Sequence, residues 1–172
     1  MRLICSGAGG KLPPRRAPGA PQHFDRDMNQ ESVARYKARP LDERMALALR
    51  ETLSAEERRI ILREEQWMQV RVYFARRADL SVDEVEYLLD DQDHVIRLCV
   101  AKRDDLTPVQ VERCVGDRDP NVRYFIARNP LLDEAQRGRL AADEDPLVRR
   151  AVRKGPRPVQ FRQREGQARL IR

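Results

Sequence analysis

Apolar and polar positions recur with a period of 26 residues through most of the chain. The clearest copies are residues 91–97, 117–123 and 143–149, in which an Asp-x-Asp pair precedes an apolar residue and an arginine. In the first two copies an alanine stands four residues after the arginine and a leucine nine residues after it. Weaker copies begin at Arg44 and, 27 residues later, at Arg71. A fixed period in this range predicts a stack of structural repeats.

Each repeat is predicted to hold two short helices. The first begins where Ser, Thr or Asp stands three residues before Glu or Gln, a spacing that lets the two side chains cap the helix start, at Ser54, Ser81, Thr107 and Asp133. The second begins at a further aspartate, which a proline follows in two repeats, at Asp93, Asp119 and Asp145. Because neither helix is long enough to be stable alone in water, neighbouring repeats must bury its apolar face. We predict an all-α solenoid of about five 26-residue, two-helix repeats over residues 29–156.

The two ends of the chain do not follow the repeat. Residues 1–28 are rich in Gly and Pro and lack an apolar period, which predicts a disordered tail. The alternative is that translation begins at Met28. Residues 157–172 form a basic tail with five arginines and one glutamate, and this tail has room for one last helix.

Residues 117–132 resemble the leucine-rich repeat variant family, in which Asp-x-Asp-Pro-x-Val-Arg is followed by Ala and then by Asn-Pro-x-Leu. The resemblance extends over residues 41–156. It implies a bacterial, right-handed superhelix that is close to HEAT-like repeats and has one class of helix of the 3-10 type. Some members bind an iron–sulfur cluster through an N-terminal group of cysteines. The N-terminal part of this chain has only Cys5, and a cubane cluster needs four thiolates as a rule, so no cofactor is expected.

Composition agrees with a thin stack that has a narrow core. Hydrophobic residues make up 41% of the chain and charged residues 36%, and the net charge is +6. A basic balance favours an anionic partner. The three cysteines form no Cys-x-x-Cys pair, which argues against a disulfide scaffold or a zinc site and favours a reducing compartment. No apolar run is long enough to span a bilayer, and the N-terminal apolar stretch is too short for a secretory signal. We expect a cytoplasmic protein without a membrane partner.

The acidic residues and the arginines of the repeated phrase form a ladder: Asp91, Arg97, Asp117, Arg123, Asp143 and Arg149, with Glu65 and Arg71 one repeat earlier. Paired carboxylates often indicate acid–base chemistry or a metal site. A catalytic site is needed once, however, and this pattern occurs in every repeat. We therefore predict ion pairs along the stack, and neither a catalytic residue nor a bound metal.

A second basic series follows the alanine in each repeat: Arg76, Lys102, Arg128 and Lys154, joined by Arg77 and Arg103 in two repeats. Cations at the C-terminal end of a helix are stabilised by the helix dipole, which is one explanation. The other is a basic ridge that binds phosphates or an acidic protein.

The repeats differ from one another at three further positions. Trp67 stands where other repeats have a capping aspartate, His94 stands where two repeats have proline, and Tyr124 is a second aromatic candidate. With Arg76, Lys102, Arg128 and Lys154, these residues are the candidates for binding a partner. Cys99 and Cys114 replace apolar residues of other repeats and are predicted to lie in the core.

These observations favour a non-enzymatic scaffold or adaptor that binds a protein partner through the surface of a solenoid. The alternative is a nucleic-acid-binding protein that uses the basic ridge and the basic tail. A remote third reading is a HEAT-like DNA glycosylase. The sequence indicates no small-molecule substrate.

Overall fold

The computed structural model describes residues 29–172, so the predicted disordered tail over residues 1–28 lies outside the described residues. Within the described range the helices are Gln30–Lys37 (α1), Leu41–Leu49 (α2), Ala55–Glu64 (α3), Met68–Ala75 (α4), Val82–Leu89 (α5), His94–Ala101 (α6), Pro108–Val115 (α7), Pro120–Ile126 (α8), Glu134–Ala141 (α9) and Pro146–Arg153 (α10). Two short strands follow, Phe161–Arg162 (β1) and Leu170–Ile171 (β2). The described part of the protein is therefore mostly helical, as the sequence period predicts.

The predicted helix starts are confirmed. The helices α3, α5, α7 and α9 each begin with a capping box. In α5, for example, the Glu84 N–H donates to Ser81 Oγ and the Ser81 N–H donates to the Glu84 carboxylate. The helices α6, α8 and α10 begin at aspartates whose side chains accept from the backbone two residues on. Trp67 occupies the same place before α4 but makes no side-chain cap.

The helices form two rows. The first helices (α1, α3, α5, α7 and α9) pack one on the next, and so do the second helices (α2, α4, α6, α8 and α10). The buried apolar side chains of both rows form one continuous core, which includes Cys99 and Cys114. The recurring alanine lies in the second row and is 0% exposed at Ala48, Ala75, Ala101 and Ala127. A small side chain at this position lets consecutive second helices approach closely.

Every helix in residues 29–172 is an α-helix, so the 3-10 class implied by the family resemblance is not seen there. Hydrogen bonds of the 3-10 type occur at the starts of second helices. The Ile96 N–H donates to the Asp93 carbonyl at 3.2 Å, and the Val122 N–H donates to the Asp119 carbonyl at 3.1 Å. No helix in the described range combines the length and the apolar character that crossing a membrane requires.

The prediction of a last helix in residues 157–172 is wrong. Gly155 ends α10 with a φ of 71°, a value that suits glycine, and prolines on both sides of Arg157 oppose a further helix. The segment instead forms a hairpin in which β1 and β2 pair antiparallel, with Phe161 opposite Ile171. Burial of Ala168, Leu170 and Ile171 fixes this hairpin to the stack.

The hairpin lies along the loops that follow the second helices. The Ala168 N–H donates to the Leu49 carbonyl at 2.8 Å, and the Ile171 N–H donates to the Arg76 carbonyl at 2.7 Å. At the other end, the Arg157 N–H donates to the Arg128 carbonyl at 2.7 Å. The chain therefore turns back after its last helix and crosses the ends of α8, α4 and α2.

Candidate functional site

The acid–arginine ladder joins each repeat to the next at the starts of the second helices. Arg97 donates through Nε and Nη2 to the two carboxylate oxygens of Asp117, at 2.7 and 2.9 Å. Arg123 makes the same forked pair with Asp143, at 2.7 and 3.1 Å. Arg71 pairs with Asp91 in the same direction. Forked, charge-assisted pairs of this kind fix geometry as well as adding attraction.

The ladder residues also satisfy backbone groups. The Nη1 of Arg123 donates to the Asp117 carbonyl at 2.9 Å, and the Nη1 of Arg149 donates to the Asp143 carbonyl at 2.6 Å. The Asp145 N–H donates to Asp143 Oδ1 at 2.9 Å. Burial raises the pKa of Asp143, but the hydrogen bonds from Arg123 and from the Asp145 N–H outweigh it and leave the pKa below its ordinary value. The structure thus pairs Asp91, Asp117 and Asp143 with arginines of the preceding repeat, whereas Arg149, in the last repeat, donates to backbone carbonyls and forms no ion pair within the described residues.

Arg77 and Arg103 do not belong to an exposed ridge, and this part of the sequence interpretation is wrong. Both side chains are 0% exposed. Arg103 donates through Nη1 to the Arg77 carbonyl at 2.6 Å and makes a forked pair with Asp105. Arg77 reaches the Arg50 carbonyl one repeat earlier at 2.7 Å. Their role is to satisfy backbone carbonyls between repeats, because a buried carbonyl without a donor is costly.

The other basic residues of the series lie at the C-terminal ends of the second helices. These residues are Arg76, Lys102, Arg128 and Lys154. Together with residues 157–172 they form a surface that we call the basic edge. Arg76 donates through Nε to the Ile171 carbonyl at 2.6 Å, and Arg128 donates through Nε to the Gly155 carbonyl at 2.8 Å. Arg76 therefore contacts the C-terminal hairpin and Arg128 contacts the segment that leads to it, whereas Lys154 is exposed.

Lys102 differs from the other three helix-end cations of the basic edge because its ammonium contacts an aromatic ring. It is half-buried, and its ammonium lies 4.3 Å from the centre of the Phe125 ring, a cation–π contact. Burial lowers the pKa of Lys102, and the positive charges of Arg76 and Arg157 lower it further. An anion beside this ammonium would relieve both effects.

A cleft of about 110 Å³ lies beside Lys102. Its lining includes Phe125 and Arg128 from the stack and Arg157, Val159 and Arg172 from the C-terminal segment. No acidic residue lines it. Pockets for drug-sized ligands usually measure about 300–1,000 Å³, so this cleft has room for one small group such as a carboxylate or a phosphate.

The remaining candidates lie elsewhere on the molecule. Trp67 is 50% exposed at the start of α4, where its backbone N–H donates to the Glu65 carboxylate at 2.7 Å. His94 opens α6, and its Nδ1 lies 3.7 Å from the nearest carboxylate oxygen of Asp119. Tyr124 is half-buried and meets Phe125 edge to face, with ring centres 5.4 Å apart.

The seven candidates therefore do not form one site. The starts and ends of these eight-residue helices are about 12 Å apart, at about 1.5 Å of rise per residue. Trp67 and His94 lie at the starts, whereas Arg76, Lys102, Arg128 and Lys154 lie at the ends. In the described residues no group of three or more His, Cys, Asp or Glu side chains is placed to hold a metal ion.

Sequence reasoning missed the cleft itself. Phe125 was not a candidate, and Arg157 and Arg172 were predicted only as members of a tail that extends the ridge. The signal that the tail turns back was present in part, because prolines and a glycine at 155–158 exclude a continued helix. The contact of Arg157 and Arg172 with the surroundings of Lys102 depends on the hairpin and has no local signal.

Comparison with known proteins adds no relative: no family model, no curated protein and no solved structure matches the chain. The resemblance to the leucine-rich repeat variant family therefore rests on the residue pattern alone.

Proposed function

We propose that this protein is a non-enzymatic, cytoplasmic scaffold that binds a protein partner. In this proposal the two rows of helices are a right-handed solenoid of about five 26-residue repeats of the leucine-rich repeat variant type. Support for the fold comes from the recurring ion pairs and capping boxes, which give successive repeats the same geometry. A solenoid offers an extended surface for recognition, and fold alone does not name the partner.

The observation that carries the protein-binding proposal is the backbone pairing at the basic edge. Two loops that end second helices form β-bridges with an extended segment, Arg50 with Gln167 and Arg77 with Leu170. The ends of the second helices can therefore pair with an extended polypeptide through their backbone groups, which is one of the recurring modes of peptide recognition. The surrounding arginines and lysines would favour an acidic polypeptide.

The state of the acidic residues supports a non-enzymatic role. The ladder carboxylates accept hydrogen bonds from arginines and from backbone N–H groups, so both oxygens of a carboxylate such as Asp117 already have partners. The same arrangement recurs from one repeat to the next, which is typical of a structural device and not of a catalytic site.

Affinity capture with a nuclease step tests the proposal. The protein is immobilised and incubated with lysate of its source cells, with and without nuclease treatment, and the retained proteins are quantified by mass spectrometry. We expect a protein that is retained by the wild type and lost when Lys154, Arg162 and Arg164 are changed to Glu, since these side chains are exposed. Retention that disappears on nuclease treatment would contradict a protein scaffold.

Nucleic-acid binding is the second candidate, and the charge of the C-terminal part favours it. Residues 146–172 contain nine Arg or Lys residues and one acidic residue, Glu165. Such a concentration attracts phosphates, and the resulting binding weakens steeply with salt. Titration of mixed DNA and RNA at several salt concentrations tests this candidate. Absence of binding at low salt excludes it.

A further inference from the structure

We infer that the cleft beside Lys102 is a binding pocket for a carboxylate side chain of an acidic, extended peptide segment in the protein partner. This inference rests on the proposed protein-binding function and names the chemistry of the partner. The pocket is built jointly by the stack, through Lys102, Phe125 and Arg128, and by the C-terminal segment, through Arg157 and Arg172.

The cleft differs from other parts of the stack because its basic side chains lack acidic partners in the part of the chain that the structure describes. Elsewhere several arginines of the first helices meet carboxylates of the neighbouring repeat: Arg58 pairs with Glu84, and Arg139 pairs with Glu112. In the described residues Lys102, Arg157 and Arg172 form no ion pair with an acidic side chain. The cleft therefore concentrates positive charge that an external anion can neutralise.

The shape of the cleft favours a carboxylate of a peptide over a nucleic acid. Its volume of about 110 Å³ admits a carboxylate but not a nucleobase as well. Single-stranded nucleic acids are bound largely by stacking bases on aromatic rings. The only aromatic ring in the lining is Phe125, and Lys102 already occupies one of its faces.

The neighbouring backbone favours the same occupant. The loops after α2 and α4 pair with the hairpin through backbone hydrogen bonds. Lys102 belongs to the next loop along this edge, after α6. Apolar groups of Ala101, Pro158 and Val159 also line the cleft, and they suit the methylene groups of a glutamate side chain. An extended peptide along the basic edge can thus place one acidic side chain in the cleft.

Fluorescence anisotropy with a labelled peptide of alternating Glu and Val residues tests the inference. The matched probe has Gln in place of Glu. The cleft variants are Lys102→Met, which keeps the apolar stem over Phe125, and the pair Arg157→Gln with Arg172→Gln. The control is Arg118→Gln, which removes one positive charge from an exposed side chain that precedes α8, at the opposite end of the second helices. Circular dichroism shows whether each variant is folded.

We expect the Glu peptide to bind the wild type and the Gln peptide not to bind. Loss of charge-assisted contacts should weaken binding of the Glu peptide about tenfold in the paired variant and about twofold or less in the Arg118→Gln control. Three results would each overturn the inference: no binding of the Glu peptide to the wild type, equal binding by cleft variants and control, or tighter cleft-dependent binding of a single-stranded oligonucleotide. The last result would assign the cleft to phosphates. None of these results predicts the outcome of affinity capture, which uses no acidic probe. Failure of this inference is therefore distinguishable from failure of the proposed scaffold function.

Discussion

The second helices carry recurring charged residues at both ends, but the partners of these residues differ between the two ends. At the starts, the ladder arginines Arg71, Arg97 and Arg123 each meet a carboxylate of the next repeat. At the ends, the recurring cations of the basic edge meet backbone carbonyls, an aromatic ring or solvent, as Lys102 meets Phe125. A charged residue that recurs in every repeat can therefore have either a structural or a functional role. The two roles are distinguished by whether the next repeat supplies a complementary group.

The largest expected effect comes from breaking the ladder. Replacing Arg97 with Ala leaves the buried Asp117 without its forked partner, and we expect the free energy of unfolding to fall by about 3–4 kcal/mol. Urea unfolding followed by circular dichroism measures this change. The exposed Arg118 provides the matched control, since Arg118→Ala should cost about 0.5 kcal/mol or less. Equal midpoints for the two variants would mean that the ladder does not stabilise the stack.

The buried apolar side chains of the C-terminal hairpin should contribute most of the stability with which it is fixed to the stack. Leu170 is buried where the hairpin meets the stack, so Leu170→Ala should cost about 2–3 kcal/mol. The same variant should weaken binding of the acidic peptide, because the hairpin supplies Arg157 and Arg172 to the cleft. The exposed hairpin residue Arg164 serves as control, and Arg164→Gln should keep the urea midpoint of the wild type. A stable Leu170→Ala protein with full peptide binding would show that the hairpin is not needed for either property.

Two adjacent residues of the basic series allow a sharper comparison. Arg103 is fully buried and Lys102 lines the cleft. We expect Arg103→Met to cost about 2 kcal/mol, because it leaves the Arg77 carbonyl without its donor. We expect Lys102→Met to cost less than about 0.5 kcal/mol and to act on peptide binding instead. Unfolding and anisotropy measurements on both variants check this split, and the reverse outcome would exchange the roles of the two residues.

The parts of the fold that the sequence predicts well are those set by neighbours in the chain. Ser81 and Glu84 lie three residues apart and cap α5 as expected, and the aspartates before α6, α8 and α10 cap those helices. The 26-residue period also places the alanines correctly in the tight contacts between second helices. Local chemistry and periodicity are enough for these features.

The basic edge was harder to predict because its contacts span most of the chain. Arg76 meets Ile171, 95 residues away, and no local pattern indicates that contact. The sequence contains one local feature that accompanies the burial of Arg77 and Arg103. Each is followed two residues later by an aspartate, Asp79 or Asp105, with which it makes a forked pair. Arg128 has no acidic residue at that spacing, whereas Lys102 has Asp104 there, so the spacing alone does not separate the buried arginines from the two residues that line the cleft.

The smallest expected effect is the acid sensitivity of the ladder. Burial raises the pKa of Asp143, but Arg123 and the Asp145 N–H lower it more, so the folded pKa lies below the unfolded value of about 3.9. The stabilisation by this carboxylate is therefore complete above that unfolded pKa and is lost as pH falls through the folded pKa. Asp143→Asn should reduce the difference between the urea midpoints at neutral and acidic pH.

The expected reduction corresponds to about 1 kcal/mol, because only the difference between the folded and unfolded pKa of one carboxyl group contributes to it. Asp104→Asn is the matched control, since Asp104 is exposed and lies outside the ladder, beside the basic edge. If the ladder carboxylates cause the loss of stability in acid, Asp104→Asn should leave the acid sensitivity of the wild type unchanged. If both variants reduced that sensitivity equally, general charge repulsion would explain the acid loss, and the carboxylates of the ladder would have no special part in it.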